Sequence, residues 1–266
     1  MFDSIAGDYD ALNHILSLDV DKIWRRKALK QIVDAPAPVQ VLDLACGTGD
    51  FSIAIAKALS RSHKRVGTPI EAHVKAPAKA PVEAQVTSTG FVTGDSGRSD
   101  LMTKGHVTGV DLSEGMLAVM REKVAKAGLT EMISIEEGDG ENLRFPDNTF
   151  DRVTIAFGIR NFEDRDKGLR EMLRVLKPGG RLVILELSRP ENKVIRWFYD
   201  LYFLHILPKI GGKVSGDKAA YAYLPASVAA FPGKKTFMAT MREAGFRTVT
   251  HKAFTLGICR MYTGEK

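Results

Sequence analysis

Apolar residues along this chain fall into two alternating rhythms. Val39, Val41, Leu42 and Leu44 form a run that is too short for a stable helix and reads as a buried strand. Continuous rather than alternating hydrophobicity is the habit of a parallel strand covered on both faces. Gly47, Thr48 and Gly49 then form a tight turn, and from Asp50 onward Ile53, Ile55, Ala56 and Leu59 mark a helix. The succession returns at 107–110, a strand closing on Asp111, after which Ser113 caps a helix carrying Met116, Leu117, Met120 and Val124 that Gly128 ends. Residues 132–136 make a third strand and 150–157 a fourth, which runs out into Gly158, Ile159, Arg160 and Asn161. Asp164 starts a helix with Leu169, Met172, Leu173 and Val175, the LKPGG stretch stops it, and 181–187 is a fifth strand. A helix at 235–244 and strands at 247–254 and 258–262 close the chain. Strands alternating with helices of this length predict an α/β fold with a doubly wound, mostly parallel sheet.

Three stretches stand outside that alternation. Residues 1–34 carry apolar positions at helical spacing and read as an N-terminal helical cap, with Asp21 capping a helix rich in Lys22, Arg25, Arg26, Lys27 and Lys30. That basic cluster is either a solvated face or a patch meeting acidic lipid headgroups. Residues 62–105 contain KAPAKAP and a run of Ser, Thr and Gly with isolated apolar residues, too few to offset their ordering entropy. They read as a flexible insertion, with a small hairpin at 84–93 as the alternative. Residues 194–210, VIRWFYDLYFLHILPKI, are dense in aromatic and aliphatic side chains but interrupted by Arg196, Asp200 and His205. The stretch is too short and too charged to span a bilayer, so 190–232 reads as a lid or interfacial region, or else as a core or dimer helix.

Composition narrows the classes. At 266 residues and 44% hydrophobic the chain can bury one large core. A charged amino terminus without a long apolar segment reads as lacking a signal peptide. Cys46 and Cys259 form neither a disulfide framework nor a metal-ligand spacing, which makes a reducing cytoplasmic setting the default and leaves no metal site. A net charge of +6 does not identify a nucleic-acid binder.

The glycine turn carries the chemistry. Strand, glycine turn and helix let a ligand approach backbone and the positive end of a helix. A dinucleotide fingerprint requires a third glycine where this chain has Ser52, and Asp43 would meet a pyrophosphate unfavourably. A carboxylate suits a cationic, hydroxyl-bearing ligand such as S-adenosylmethionine. Asp111, closing the second strand, is placed to accept from ribose hydroxyls, and Asp139 in the Gly138–Asp139–Gly140 turn to accept from an adenine amino group.

The succession VLDLACGTGD, VTGVDLS, EEGDGENLRFPDNTFD and RVLKPGGRLVILE resembles the class I S-adenosylmethionine-dependent methyltransferases. YDALNHILSLDVDKIWR (9–25), FGIRNF (157–162) and RVLKPGGRLVILELS (174–188) narrow the likeness to the ubiquinone/menaquinone-biosynthesis C-methyltransferases, over nearly all of the chain except 62–105. The resemblance implies a single Rossmann-like methyltransferase domain over 1–266 with a terminal antiparallel hairpin. It implies S-adenosylmethionine as cofactor, with Gly47, Thr48 and Gly49 at its methionine part, Asp43 nearby, Asp111 at the ribose, and Asp139 and Gly140 at adenine. Tyr9 would close over it or simply pack. The implied reaction is ring C-methylation of a prenylated quinol: demethylmenaquinol, or the methoxy-polyprenyl-benzoquinol of ubiquinone biosynthesis. A methyltransferase for another small acceptor and a cofactor-binding partner protein without turnover are the alternatives. Such a substrate implies peripheral contact with the cytoplasmic membrane; a homodimer is also open.

Methyl transfer to carbon needs an electron-rich ring and a donor near its developing phenolate. Arg160 and Asn161 are the candidates, with an arginine tied to a structural carboxylate as the other reading of Arg160. The chain departs from the family pattern at Leu12 (often Met), Asp21 (often His) and Ala156 (often Ser), and in the insertion of roughly forty residues before Asp111, against a usual spacing of about 20. Family members commonly extend before the equivalent of Met1, which implies a shortened amino terminus.

Overall fold

The computed structural model of the chain describes residues 19–34, 39–66, 105–202 and 218–266, without side chains at 62–66 and 218–222. The expectations for Tyr9 and the 84–93 hairpin, and residues 203–210 of the aromatic stretch, lie outside the described residues.

One seven-stranded sheet organises them, in the order β3-β2-β1-β4-β5-β7-β6. Its strands are β1 (Gln40–Leu44), β2 (His106–Asp111), β3 (Ile133–Glu137), β4 (Phe150–Ala156), β5 (Leu176–Leu187), β6 (Arg247–Phe254) and β7 (Cys259–Glu265). β1 to β5 pair in parallel, and β7 runs antiparallel to both β5 and β6. The helices are α1 (Val20–Ile32), α2 (Asp50–Val66), α3 (Glu114–Lys126), α4 (Arg165–Val175), α5 (Lys193–Leu201), α6 (Lys218–Ala230) and α7 (Lys234–Glu243).

The period of two along the strands sorts their side chains between two cores. Val41, Val183 and Leu185 pack with Trp24, Ile32, Phe51, Ile55, Leu117 and Met120 under α1, α2 and α3. Their neighbours Leu42, Leu44, Leu182 and Ile184 pack with Leu169, Met172, Phe237 and Tyr262 under α4 and α7. Covering on both faces accounts for the unbroken apolar runs of the central strands.

Three expectations need correction. Asp19, not Asp21, precedes α1, and Asp21 lies buried in the first turn, 3.6 Å from Arg25. α2 continues to Val66, into the stretch read as insertion. The LKPGG stretch is not a gap between helix and strand: β5 begins at Leu176, and Gly179 at φ +76° bends it while a register shift against β4 absorbs the irregularity.

The strand order reverses between β1 and β4, because β2 and β3 build outward on one side of β1 and β4 on the other. Loops leaving the two strands there diverge, so a crevice opens at their carboxyl ends.

Candidate active site

A cleft of about 480 Å³ occupies that crevice. It is lined by Ala45 and Gly47 after β1, Asp111, Leu112 and Ser113 after β2, and Gly138 to Glu141 after β3. Ala156, Phe157, Gly158, Asn161 and Phe162, at and after the end of β4, form the opposite wall.

Backbone builds the first wall. Cys46 N donates to Val110 O at 3.1 Å, tying the turn after β1 to the end of β2. Asp111 bridges the same elements: Oδ2 accepts from Gly47 N at 2.8 Å and Oδ1 from Ser113 N at 2.9 Å. Ser113 Oγ in turn accepts from Met116 N and caps α3, as its sequence position implied. Gly47 sits at φ +56°, and a Cβ there would project into open space on the cleft wall. Only a residue without a side chain leaves that part of the cleft empty. Asp139 is held in the same manner, with Oδ1 accepting from Glu141 N at 2.8 Å and Oδ2 from Asn142 Nδ2 at 2.6 Å.

Asp43, Thr48 and Gly49 stand behind this wall rather than on it. Asp43 is buried and accepts from Ser52 Oγ at 2.5 Å. Burial pushes its carboxyl up to about 7, against the opposing pull of the Ser52 hydroxyl and Arg25. Thr48 is buried with Lys123 Nζ 3.3 Å from its hydroxyl, and Lys123 also pairs with Asp50. A Cβ on Gly49 would fall 2.4 Å from Met120 Cγ, so this glycine lets α2 and α3 approach one another.

Side chains build the opposite wall. After β4 the chain forms a 3-10 turn, Ile159–Asn161. Asn161 lines the cleft, and its Oδ1 accepts from Tyr223 Oη of α6 at 2.9 Å. Arg160 is not among the residues lining it. Its guanidinium pairs with the fully buried Glu186 of β5, Nη1 to Oε1 at 2.9 Å. Nε donates to Ser227 Oγ at 3.3 Å, and Nη1 also reaches Phe157 O. Glu186 additionally accepts from Arg160 N at 3.2 Å and Leu187 N at 2.8 Å. The geometry therefore has Arg160 tied to a carboxylate and Asn161 facing the cleft.

Phe157 was not singled out by its sequence. It adopts φ +64°, a strained conformation for a bulky residue. Its ring centroid lies 6.2 Å from that of Trp24, and Arg25 Cζ lies 5.6 Å over it. The cap helix α1 thus braces a residue of the cleft wall, consistent with the clustering of backbone strain at ligand sites. A phenylalanine carries no signal of positive φ, and the neighbouring Gly158, which would, does not adopt it.

Comparison with known proteins agrees with this architecture. The sequence profile of the ubiE/COQ5 methyltransferase family matches residues 1–266. A demethylmenaquinone methyltransferase of Bacteroides fragilis is 40% identical over 266 residues, covering 100% of this chain and 91% of the relative. A ubiquinone/menaquinone biosynthesis C-methyltransferase of Geobacter sulfurreducens is 44% identical, covering 100% and 87%. Among solved structures, a putative S-adenosylmethionine-dependent methyltransferase of Methanococcus maripaludis superposes with a TM-score of 0.59 at 17% identity, covering 100% of this chain and 94% of its own. One from Aquifex aeolicus gives 0.53 at 19% identity, covering 90% and 88%. At such identities the likeness is one of fold.

Proposed function

This chain belongs to the ubiE/COQ5 methyltransferase family and is an S-adenosylmethionine-dependent C-methyltransferase; from that premise we propose that its acceptor is demethylmenaquinol, methylated on a ring carbon. The benzoquinol of ubiquinone biosynthesis is the second reading, because the Geobacter relative is named for both quinones.

The observation that carries the reading is the bridging of two strand ends by Asp111 on the wall of a cleft kept open at Gly47. Carboxylate oxygens accept more than one hydrogen bond apiece, so anchoring to Gly47 and Ser113 is compatible with holding ribose hydroxyls. We assign Asp139 and Gly140 to adenine, with Leu112 (69% exposed) and Met116 offering apolar surface beside them. Gly47 would approach the methionine part directly, with Thr48, Gly49 and Asp43 fixing the turn from behind. The volume lies within the roughly 300–1,000 Å³ of small-molecule sites, and S-adenosylmethionine, when bound, supplies a methyl group on a sulfonium.

On the acceptor side, Asn161 is the residue proposed to donate to the ring oxygen as negative charge develops there, a preorganised donor of the oxyanion-hole kind. Arg160, its charge matched by Glu186, holds the 3-10 turn in position. For the prenyl tail, Val194, Trp197, Phe198 and Leu201 recur at i, i+3, i+4 and i+7 on α5 and are all exposed, Trp197 to 61%. None of the described helices is long and apolar enough to cross a membrane. We assign this face of α5 to peripheral contact with the lipid surface that holds the substrate.

The test is incubation with methyl-labelled S-adenosylmethionine, a reductant, and either short-chain demethylmenaquinol or the demethylated benzoquinol, read by mass spectrometry. Label on the naphthoquinol ring carbon is expected. Label on the benzoquinol alone selects the second reading, and label on neither overturns the assignment.

A further inference from the structure

The acceptor wall depends on a helix distant in sequence. α6 lies across the 3-10 turn through two polar contacts on one of its faces. Tyr223 Oη meets Asn161 Oδ1 at 2.9 Å, and one helical turn later Ser227 Oγ accepts from Arg160 Nε at 3.3 Å. Positions i and i+4 of α6 therefore grip two consecutive residues of the turn. Tyr223 is otherwise 37% exposed, so burial does not account for its orientation.

A carboxamide has one accepting edge and one donating edge in a single plane. A phenolic hydroxyl that donates to Oδ1 fixes the rotation of that plane, and the Nδ2 hydrogens become the edge that Asn161 can present to the cleft. Without such a partner the amide rotates, and roughly half of its orientations would present a carbonyl to an oxygen gaining negative charge. We propose that Tyr223 is a positioning residue for methyl transfer: by donating to Asn161 Oδ1 it aims the Asn161 amide hydrogens at the ring oxygen of the acceptor.

The proposal rests on the quinol reading above. In that reaction the ring carbon forms a bond to the methyl group as the carbon–sulfur bond breaks, both electrons of that bond passing to sulfur. The hydroxyl proton leaves to water as the carbon attacks. The ring proton at the attacked carbon then leaves to restore aromaticity, and the oxygen takes a proton back, for a net release of one proton. Asn161 donates to the oxygen while its proton is away.

Tyr223→Phe keeps the ring and removes only the donor. Expected is a fall in kcat of roughly tenfold at neutral pH, with the quinol KM and the calorimetric Kd for S-adenosylmethionine within a factor of two of the parent and an unchanged melting temperature. The deficit shrinks as pH rises, because an acceptor already ionised before attack depends less on an aimed donor. Asn161→Ala sharpens the test: once the amide is gone, adding Tyr223→Phe has no further effect on kcat. A parental kcat in well-folded Tyr223→Phe, a deficit constant with pH, or additive effects in the double variant overturns the proposal. The function itself fails separately, if the parent protein methylates no quinol.

Discussion

The two walls of the cleft are built from different materials. Toward β1, β2 and β3 the lining side chains are fixed by main chain: the amides of Gly47 and Ser113 hold Asp111, and that of Glu141 holds Asp139. Toward β4 the lining residue Asn161 is backed by a lattice of side chains, in which Glu186, Arg160, Ser227 and Tyr223 join β5, the 3-10 turn and α6. A wall held by backbone amides is fixed by the strands it ends, which suits the cofactor proposed for it. A wall backed by side chains can be altered residue by residue, which suits the acceptor proposed for it. The difference teaches that one crevice can combine a wall set by local main chain with a wall set by side chains from distant parts of the sequence.

The most severe way to break the contrast is at the ion pair. Arg160→Met leaves the fully buried Glu186 without its guanidinium, and an uncompensated buried charge of this kind costs about 3–5 kcal/mol. Urea denaturation should show that loss, while Arg160→Lys, which keeps the charge but not the fork, should lose less. An unchanged midpoint in Arg160→Met would mean that the acceptor wall does not depend on its side-chain lattice.

On the cofactor wall the expected effect moves from folding to binding. Asp111→Asn keeps an acceptor for only one of the two amides, Gly47 N or Ser113 N, turns an NH2 toward the other, and removes the charge. Hydrogen bonds to charged groups are worth about 1.5–3 kcal/mol, so the affinity for S-adenosylmethionine should fall roughly 10- to 100-fold, with a modest fall in melting temperature from the one amide left without an acceptor. Calorimetry reads this directly, and parental affinity would remove Asp111 from the ribose.

An effect that appears only as a change with pH lies behind that wall. The buried Asp43 carboxyl titrates near 7 in the fold, against 3.8 for the free group, so the folded state binds the extra proton in between. Stability from this group is complete below about pH 4 and is lost as pH rises through 7, by up to about 1.4 kcal/mol per pH unit. The melting temperature of the parent protein relative to Asp43→Asn should therefore fall between pH 4 and 7. A flat difference would contradict the burial argument.

The same contrast explains what was legible in the sequence. Strand, glycine turn and helix lie within a dozen residues around Gly47, so periodicity and turn chemistry reveal them together, and the order of later strands follows from their alternation with helices. Side-chain partners are not local in this sense. Glu186 lies 26 residues from Arg160, and Tyr223 lies 62 from Asn161. Nothing in the spacing of IRN, ILEL or YAYLPAS links them. Within the turn itself the motif groups Gly47, Thr48 and Gly49, yet only Gly47 reaches the cleft. As the chain enters α2 its successive residues rotate away, so Thr48 and Gly49 turn back against α3. The late start that the sequence implies for β5 has the opposite cause, since a glycine that stops a helix can equally well bend a strand.

The central claim is that the walls act separately, one holding the cofactor and the other the acceptor. Asn161→Ala tests it most directly, through calorimetric affinity for S-adenosylmethionine and quinol turnover measured on the same preparation. The account predicts an affinity within a factor of two of the parent and turnover reduced by roughly 100-fold, as for loss of an oxyanion donor. Affinity falling in parallel with turnover, or turnover left intact, would contradict it.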